Sequence, residues 1–341
     1  MPFRALHWAR GRGRGLPHVR WRDRKIVALT QAVDAATSVE VPSYRRYLYA
    51  ERRIAAMMPR RGDRGQMVTR KLKSYAFAQS HGVDIPRVFD VWDRLEDIEW
   101  DDLPAAVVLK SNGGSGARGV VPLRRDGDHW RIVTGEVAIT SAEIVERLRA
   151  HQDQGRIRRP FFAEELLPGV DDDSLPVDVK VHAFYGEVGM VLLRSVDALG
   201  AERRFRVILP DGTDYGRSSP QDVYDATIPI PTNFTEVVRV AERLSLSVPR
   251  PFVRVDLYDI GGRVVFGEFT PRPGGVEDYG PELDAQLGRL CERAQSRVRD
   301  DAIHGEGTGL RFGPGPRELQ LRHGTWSPES KSVPTRPGRG A

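Results

Sequence analysis

Apolar residues along the chain follow two different periods. Val237, Val240, Ala241 and Leu244 recur at three- and four-residue spacing behind Asn233-Phe234-Thr235-Glu236, so 233–246 reads as a helix burying one stripe. Ser141 at a cap, with Ile144, Val145 and Leu148 on one face, predicts a helix over 141–150. Tyr44 to Met58, Lys71 to His81 and Pro281 to Arg297 carry the same helical signal. Elsewhere the apolar runs are short and bounded by turn residues, and they read as strands: Ala105–Leu109, Gly119–Leu123, Trp130–Val133 and Phe161–Leu167. Val177–Tyr185 and Glu187–Arg194 predict a hairpin turning at Gly186, and Phe252–Tyr258 and Arg263–Phe269 a second joined at Gly261-Gly262. Hairpins mixed with helices, without regular βαβ alternation, argue α+β layers and not a Rossmann sheet.

The ends of the chain look different from its middle. Residues 1–25 are rich in Gly and Arg, Val27-Ala28-Leu29 begins a helical signal, and Arg60 to Gly65 reads as a linker. A basic, partly helical N-terminal extension is therefore expected over 1–65. The main body is expected over 66–300, with a first part at 66–165 and a second at 166–300. Residues 301–341 hold 8 Gly and 5 Pro, and that composition predicts a disordered tail.

Composition narrows the class. Hydrophobic residues are 40% of 341, enough for a real core. No apolar stretch reaches the roughly 18 residues of a membrane helix, and the start lacks the apolar core of a secretory signal. Cys291 is the single cysteine, which excludes an intrachain disulfide framework and any multi-cysteine metal site. The expectation is a soluble, cytoplasmic protein. The net charge of +5 is concentrated at the ends: residues 1–25 hold 8 Arg/Lys against 1 Asp, and 301–341 hold 6 against 4, so the body is net negative. A basic arm can hold phosphate polymers or anionic lipid, but it also reads as a solvated tail, and nucleic acid is not an expected partner. The 52 basic residues divide into 46 Arg and 6 Lys, the usage of a G+C-rich bacterial genome. A lysine retained in such a chain marks a place where a slim point charge serves better than a planar guanidinium.

Four segments carry candidate chemistry. Val107-Val108-Leu109-Lys110 leads into Ser111-Asn112-Gly113-Gly114-Ser115-Gly116, so a strand delivers a lysine to a Gly-rich loop whose amides can approach phosphate oxygens. The order of residues excludes a Walker A loop, because the lysine precedes the glycines. Arg254 and Asp256 share one face of a strand, Glu268 and Thr270 share one face of its hairpin partner, and the turn sets the pairs side by side. Two carboxylates converging beside a cation fit a hard divalent ion such as Mg²⁺, which takes oxygen ligands; a solvated salt-bridged face is the alternative. Phe161 to Leu167 runs into the acidic pair Glu164-Glu165, and Asp178-Val179-Lys180 puts an acid and a lysine on one face of a strand.

The order of these segments resembles the ATP-grasp superfamily, and within it the TupA-like family linked to teichuronopeptide biosynthesis. The segments that carry the likeness are Arg70-Lys71-Leu72-Lys73-Ser74-Tyr75, Asp178 to Gly186, Phe252 to Tyr258 and Phe266 to Gly275, and it spans roughly 66–295. The resemblance implies an ATP-grasp fold, two α+β subdomains gripping ATP between antiparallel sheets. It implies that Lys71 and Lys110 bind nucleotide, with Lys73 as the fallback for the first. It assigns Gly113, Gly114, Ser115 and Gly116 to the loop over the phosphates, and Glu164, Glu165, Leu166 and Asp178 to the nucleotide site, with Glu164 and Leu166 at the adenine hinge. It implies Mg²⁺ ligation by Asp256, Glu268 and Thr270, and catalytic roles for Arg254 and Lys180. Thr270 stands where most of the superfamily has Asn, and a hydroxyl is a weaker ligand for a second ion.

The activity implied is ATP-dependent carboxylate–amine ligation through an acyl phosphate, on small-molecule or glycopolymer-precursor substrates of the cell envelope. Two alternatives stay open: a kinase-like phosphotransferase, and a polymer-binding protein with a decayed nucleotide site. The lysine usage generates a test. Lys110→Arg keeps the charge but is longer, flatter and bidentate, and a misplacement of about 1 Å can cost on the order of a hundredfold in rate. ATP turnover is expected to fall by about that factor, while Lys331→Arg changes nothing. Equal behaviour of the two variants in steady-state turnover would remove Lys110 from the phosphate site.

Overall fold

The computed structural model describes residues 41–57, 68–114, 118–133, 135, 138–169, 174–195, 204–219, 223–274, 278–305 and 309–330. The described residues belong almost wholly to one compact unit, 42–341. The expected basic arm, the Arg60–Gly65 linker, Ser115, Gly116, Gly275 and Lys331 lie outside the described residues.

Two antiparallel sheets organise the body. The first contains β1 (Val88–Trp92), β2 (Ala106–Gly114), β3 (Val120–Asp126), β4 (His129–Ile132), β5 (Ala138–Ile139) and β6 (Ile157–Glu165), in the spatial order β1-β6-β2-β3-β4-β5. The second contains β7 (Asp178–Phe184), β8 (Glu187–Ser195), β9 (Arg204–Ile208), β10 (Asp214–Gly216), β11 (Val223–Tyr224), β12 (Val253–Ile260) and β13 (Arg263–Thr270), in the order β10-β9-β8-β7-β12-β13 with β11 parallel to β9. The helices are α1 (Tyr44–Met57), α2 (Lys71–Ser80), α3 (Ser141–Asp153), α4 (Phe234–Leu246) and α5 (Pro281–Ile303). This is the α+β layering that the hairpin pattern predicts. The cap of α3 falls one residue before Ser141: Thr140 accepts from the Glu143 amide at 3.2 Å while the Glu143 carboxylate accepts from the Thr140 amide at 2.8 Å, a reciprocal capping box.

Alternation along each strand decides what packs where. Val107, Leu109, Leu123, Phe161 and Ala163 turn one face of the first sheet onto Ile144 and Leu148 of α3. In the second sheet Val179, Val181, Val253 and Val255 face Val237, Val240 and Leu244 of α4, and the same core takes in Leu72 and Phe77 of α2. The opposite face carries Asp178, Lys180 and His182 on β7 and Arg254 and Asp256 on β12. Its apolar end, with Phe184, Met190 and Phe252, is covered by Tyr44 and Leu48 of α1 and by Leu283 and Leu287 of α5. Two glycines allow this close cover. A Cβ on Gly189 would meet Leu287, Leu290 and Phe184 at 2.7 Å, and one on Gly288 would meet the Ser43 amide nitrogen at 2.4 Å.

Two expectations about the ends are corrected. Helix α1 is not part of a detached extension, because Tyr44 and Leu48 are buried in the same core as α5. Nor is the whole segment 301–341 disordered. Helix α5 runs on to Ile303, and β14 (Leu319–Leu321) pairs with β15 (Gly324–Trp326). Leu319 and Trp326 join the core beside α2 and β1, the Gly313 amide reaches the Ser80 hydroxyl at 2.9 Å, and the Arg322 amide reaches the Phe89 carbonyl at 2.7 Å. Composition misleads here because a few well-placed apolar residues dock a polar segment without forming a run. Trp326→Ala is therefore expected to cost about 3 kcal/mol, read as a lower urea midpoint with an unchanged slope.

Candidate functional site

The register of three adjacent strands builds the site. Asp256 on β12 stands opposite Lys180 of β7 on one side and Glu268 of β13 on the other. One row further, Arg254 stands between His182 and Thr270. Directly opposed side chains on one sheet face lie within reach of one another, and the groups pair accordingly. Lys180 Nζ is 2.9 Å from Asp256 Oδ2 and 3.4 Å from Asp178 Oδ2. Arg254 grips Asp256 through two bonds, Nε to Oδ1 at 2.7 Å and Nη2 to Oδ2 at 2.8 Å, and Nη2 also donates to Thr270 Oγ1 at 3.2 Å. Burial opposes the charge on Asp256, but Arg254 and Lys180 outweigh it and hold the carboxyl well below the usual carboxylate range.

The first sheet and α2 supply the other cations. Lys110 Nζ sits 2.5 Å from Glu164 Oε1, across the β2–β6 pairing, and 3.2 Å from the Tyr75 hydroxyl. Tyr75 donates to Glu164 Oε2 at 2.7 Å. Burial, and then the Glu164 charge, push the Tyr75 hydroxyl well above its ordinary range, so it stays a donor. Lys71, in the first turn of α2, places Nζ 3.4 Å from Glu268 Oε2. The N-terminus of that helix lacks a local side-chain cap; the buried Asn112 supplies one from β2, its Oδ1 accepting from the Leu72 amide at 3.0 Å. The Gly-rich strand thus holds the helix that carries Lys71.

The structure differs from the sequence expectations at two points. Lys110 does not end its strand: β2 continues to Gly114, and Gly113 and Gly114 pair with Arg158 and Ile157 of β6 after a bulge. Glu164 is turned onto Lys110 and Tyr75. Glu165 points away, its carboxylate accepting from the Arg87 amide at 3.2 Å, and Leu166 follows the strand end, half-buried. Of the two lysines of α2 considered for nucleotide, Lys71 is the one paired with Glu268. The structure brings Lys71, Lys110, Glu164, Asp178, Lys180, Arg254, Asp256, Glu268 and Thr270 into three ion-pair clusters.

Four participants were not singled out in the sequence. Tyr75 lies four residues after Lys71, one helical turn along the same face. Arg194 bonds Asp178 through Nε at 2.8 Å, and the two residues are equidistant from the Gly186 turn, so hairpin counting would have paired them. Asn112 was hidden as one more polar residue in a Gly-rich run. Tyr258 follows Asp256 by two. Burial raises its hydroxyl pKa well above the ordinary value, and the charges of Asp178, Glu164, Glu268 and Asp256 add to that.

Chemically, five cations (Lys71, Lys110, Lys180, Arg194 and Arg254) face four carboxylates (Glu164, Asp178, Asp256 and Glu268), one positive charge in excess. Such a set can exchange internal partners for phosphate oxygens on one side and a hard cation on the other. Asp256 and Glu268 stand opposite one another across β12–β13, and the Glu268 side chain is 43% exposed, so this pair of oxygen donors fits Mg²⁺. Glu164→Gln leaves Lys110 buried without its counter-charge; stability should fall by about 3 kcal/mol in urea titration, whereas Glu165→Gln should leave it unchanged.

The TupA-like ATPgrasp family profile matches residues 53–292. Among solved structures, the D-alanine–D-alanine ligase of Bacillus anthracis complexed with ATP aligns at 15% identity over 69% of this chain and 68% of that one, with a TM-score of 0.42. The ATP-grasp ligase PsnB, complexed with a phosphomimetic variant of its minimal precursor, Mg and ADP, aligns at 15% identity over 69% of this chain and 60% of its own, with a TM-score of 0.37. The D-cycloserine synthetase DcsG aligns at 14% identity over 66% and 70%, with a TM-score of 0.40. No curated protein matches the chain. No described helix is long and apolar enough to cross a membrane.

Proposed function

The chain belongs to the TupA-like ATP-grasp family, and from that premise we propose that it is an ATP-dependent carboxylate–amine ligase acting on precursors of a cell-envelope glycopolymer. The observation that supports this reading best is the set of cation–carboxylate pairs around Asp256, Glu268 and Glu164. Lysines of this kind serve phosphate oxygens, and the paired carboxylates serve Mg²⁺. Ligation needs little covalent help from the protein, because ATP solves the leaving-group problem.

In this reading Lys110, Lys71 and Lys180 hold phosphate oxygens, and Gly113 and Gly114 keep the strand end above them slim. Asp256 and Glu268 would hold Mg²⁺, with Thr270 as a weaker neighbour; the ion supplies charge neutralisation where phosphate oxygens converge. Arg254, positioned by Asp256 and Thr270, steadies the transferring phosphoryl group. The substrate carboxylate attacks the γ-phosphate to give an acyl phosphate and ADP, and an amine then displaces phosphate to form the amide. The turn after Thr270 faces the acceptor. Positioning and electrostatic stabilisation account for the catalysis.

Asp256→Asn and Glu268→Gln each remove a carboxylate while Lys110 remains. ATP turnover is expected to fall at least about a hundredfold in either variant, with circular dichroism and melting showing a folded protein. Turnover equal to wild type in both would end the metal assignment. Hydroxylamine added during turnover separates the reaction classes: a hydroxamate marks an acyl phosphate, whereas a stable phosphorylated hydroxyl product marks the phosphotransferase alternative.

A further inference from the structure

Outside the ion-pair clusters around Asp256, two short turns bring a different donor set together. The segment 93–102 holds six acids, Asp93, Glu96, Asp97, Glu99, Asp101 and Asp102, against one base, Arg94. It ends in a 3-10 turn, Trp100–Asp102: the Asp102 amide donates to the Glu99 carbonyl at 3.2 Å, and the Leu103 amide to the Trp100 carbonyl at 3.3 Å. In such a turn side chains three residues apart eclipse one another, so Glu99 and Asp102 project from the same side. Arg125 of β3 fixes the turn, donating to the Trp100 and Leu103 carbonyls at 2.8 and 3.2 Å.

The third donor comes from the C-terminal hairpin. Leu321 pairs with Gly324, so Arg322 and His323 form the two-residue turn between β14 and β15. The hairpin is anchored on both sides of that turn, because Leu319 and Trp326 are buried. The Arg322 amide donates to the Phe89 carbonyl at 2.7 Å, and its guanidinium donates to the Asp102 carbonyl and lies 5.6 Å from the centroid of the Phe89 ring. That grip sets His323 beside the acidic turn. One imidazole nitrogen and one carboxylate oxygen from each of Glu99 and Asp102 lie within 4.8 Å of one another. Two ligands of a tetrahedral Zn²⁺, each at about 2.1 Å, are about 3.4 Å apart, so side-chain shifts on the order of 1 Å close the set. Asp102 and His323 are exposed and Glu99 is half-buried, so the side chains have room to turn and water can complete the coordination.

We propose that Glu99, Asp102 and His323 form a Zn²⁺ site that clamps the C-terminal hairpin to the first sheet. An imidazole with two carboxylates suits a borderline ion such as Zn²⁺, whereas Mg²⁺ prefers oxygen alone. The surrounding acids add a field that favours a divalent cation. The clamp fastens the end of a longer strap. The Arg311 amide donates to the Ser247 carbonyl behind α4 at 3.0 Å, the Gly315 amide to the Ser80 carbonyl at the end of α2 at 2.9 Å, and Arg322 reaches β1. The C-terminal segment therefore runs from the helix that covers the second sheet to the edge of the first, and Zn²⁺ secures it there. No group of the ligase reading takes part, so the site stands or falls apart from that reading.

The test is isothermal titration of ZnCl₂ into the metal-free full chain, with Mg²⁺ present throughout. His323→Gln and the double variant Glu99→Gln/Asp102→Asn are each expected to bind Zn²⁺ at least about tenfold more weakly than wild type, since losing even an outer partner of a metal ligand costs about 10- to 100-fold. His304→Gln, which removes an exposed imidazole at the end of α5, should titrate like wild type. Hydrogen exchange supplies a second readout: ZnCl₂ should slow amide exchange across 319–326 in wild type and not in His323→Gln. Melting in EDTA checks that the variants fold. The proposal is overturned if His323→Gln gives the wild-type isotherm, which leaves an imidazolium–carboxylate ion pair only, or if Mg²⁺ alone slows exchange as much as Zn²⁺. Should a variant melt early, exchange in the wild-type chain decides by itself, and no slowing by ZnCl₂ removes the clamp.

Discussion

The buried carboxylate of Asp256 is the constraint around which the molecule is arranged. A charge 5% exposed is costly unless it is paired and hydrogen-bonded. Lys180 and Arg254 meet that demand from two directions, and each is in place only because β7, β12 and β13 hold one register. A slip of one residue would turn Asp256 and Lys180 into the core of Val179, Val181 and Val255 and bring those valines to the charged face. The apolar pattern that packs α4 is therefore the same pattern that assembles the site. Folding and chemistry share one alternation.

That sheet face is divided between two tasks. Its apolar end is sealed by α1 and α5 around an aromatic group of Tyr44, His182, Phe252 and Tyr279, with ring centroids 5.2 to 6.1 Å apart. Its charged end lies with Lys71, Lys110 and Glu164, which come from α2 and the first sheet. His182 stands at the border, opposite Arg254 in register and 3.3 Å from the Tyr279 hydroxyl. Helix α1, from the start of the body, thus seals the apolar end of the sheet face that carries Arg254 and Asp256.

Much of this was readable from local pattern. The long hairpins announced themselves through Gly186 and Gly261-Gly262, and the same-face pairs Asp178/Lys180, Arg254/Asp256 and Glu268/Thr270 needed only a period of two. Strands β9 to β11 carry little sequence signal because they are short and interrupted. The C-terminal hairpin was missed because its Gly and Pro content outweighed two decisive side chains, Leu319 and Trp326. The position of Lys110 within β2 was misjudged because glycine suggests a turn even where a neighbouring strand is there to pair it.

What the sequence determined by itself was the identity of the elements and the face on which each charged residue lies, because both follow from periods of 3.6 and 2 that the backbone imposes locally. The family likeness rests on the same short segments. Only the tertiary structure decided who pairs with whom: Glu164 with Lys110 and Tyr75, Lys71 with Glu268, Asn112 with the end of α2, α1 with α5. Those contacts join residues far apart along the chain. Partner choice among distant charges depends on register, on crossing elements and on the balance of burial against pairing, and none of these is written in a local window of residues.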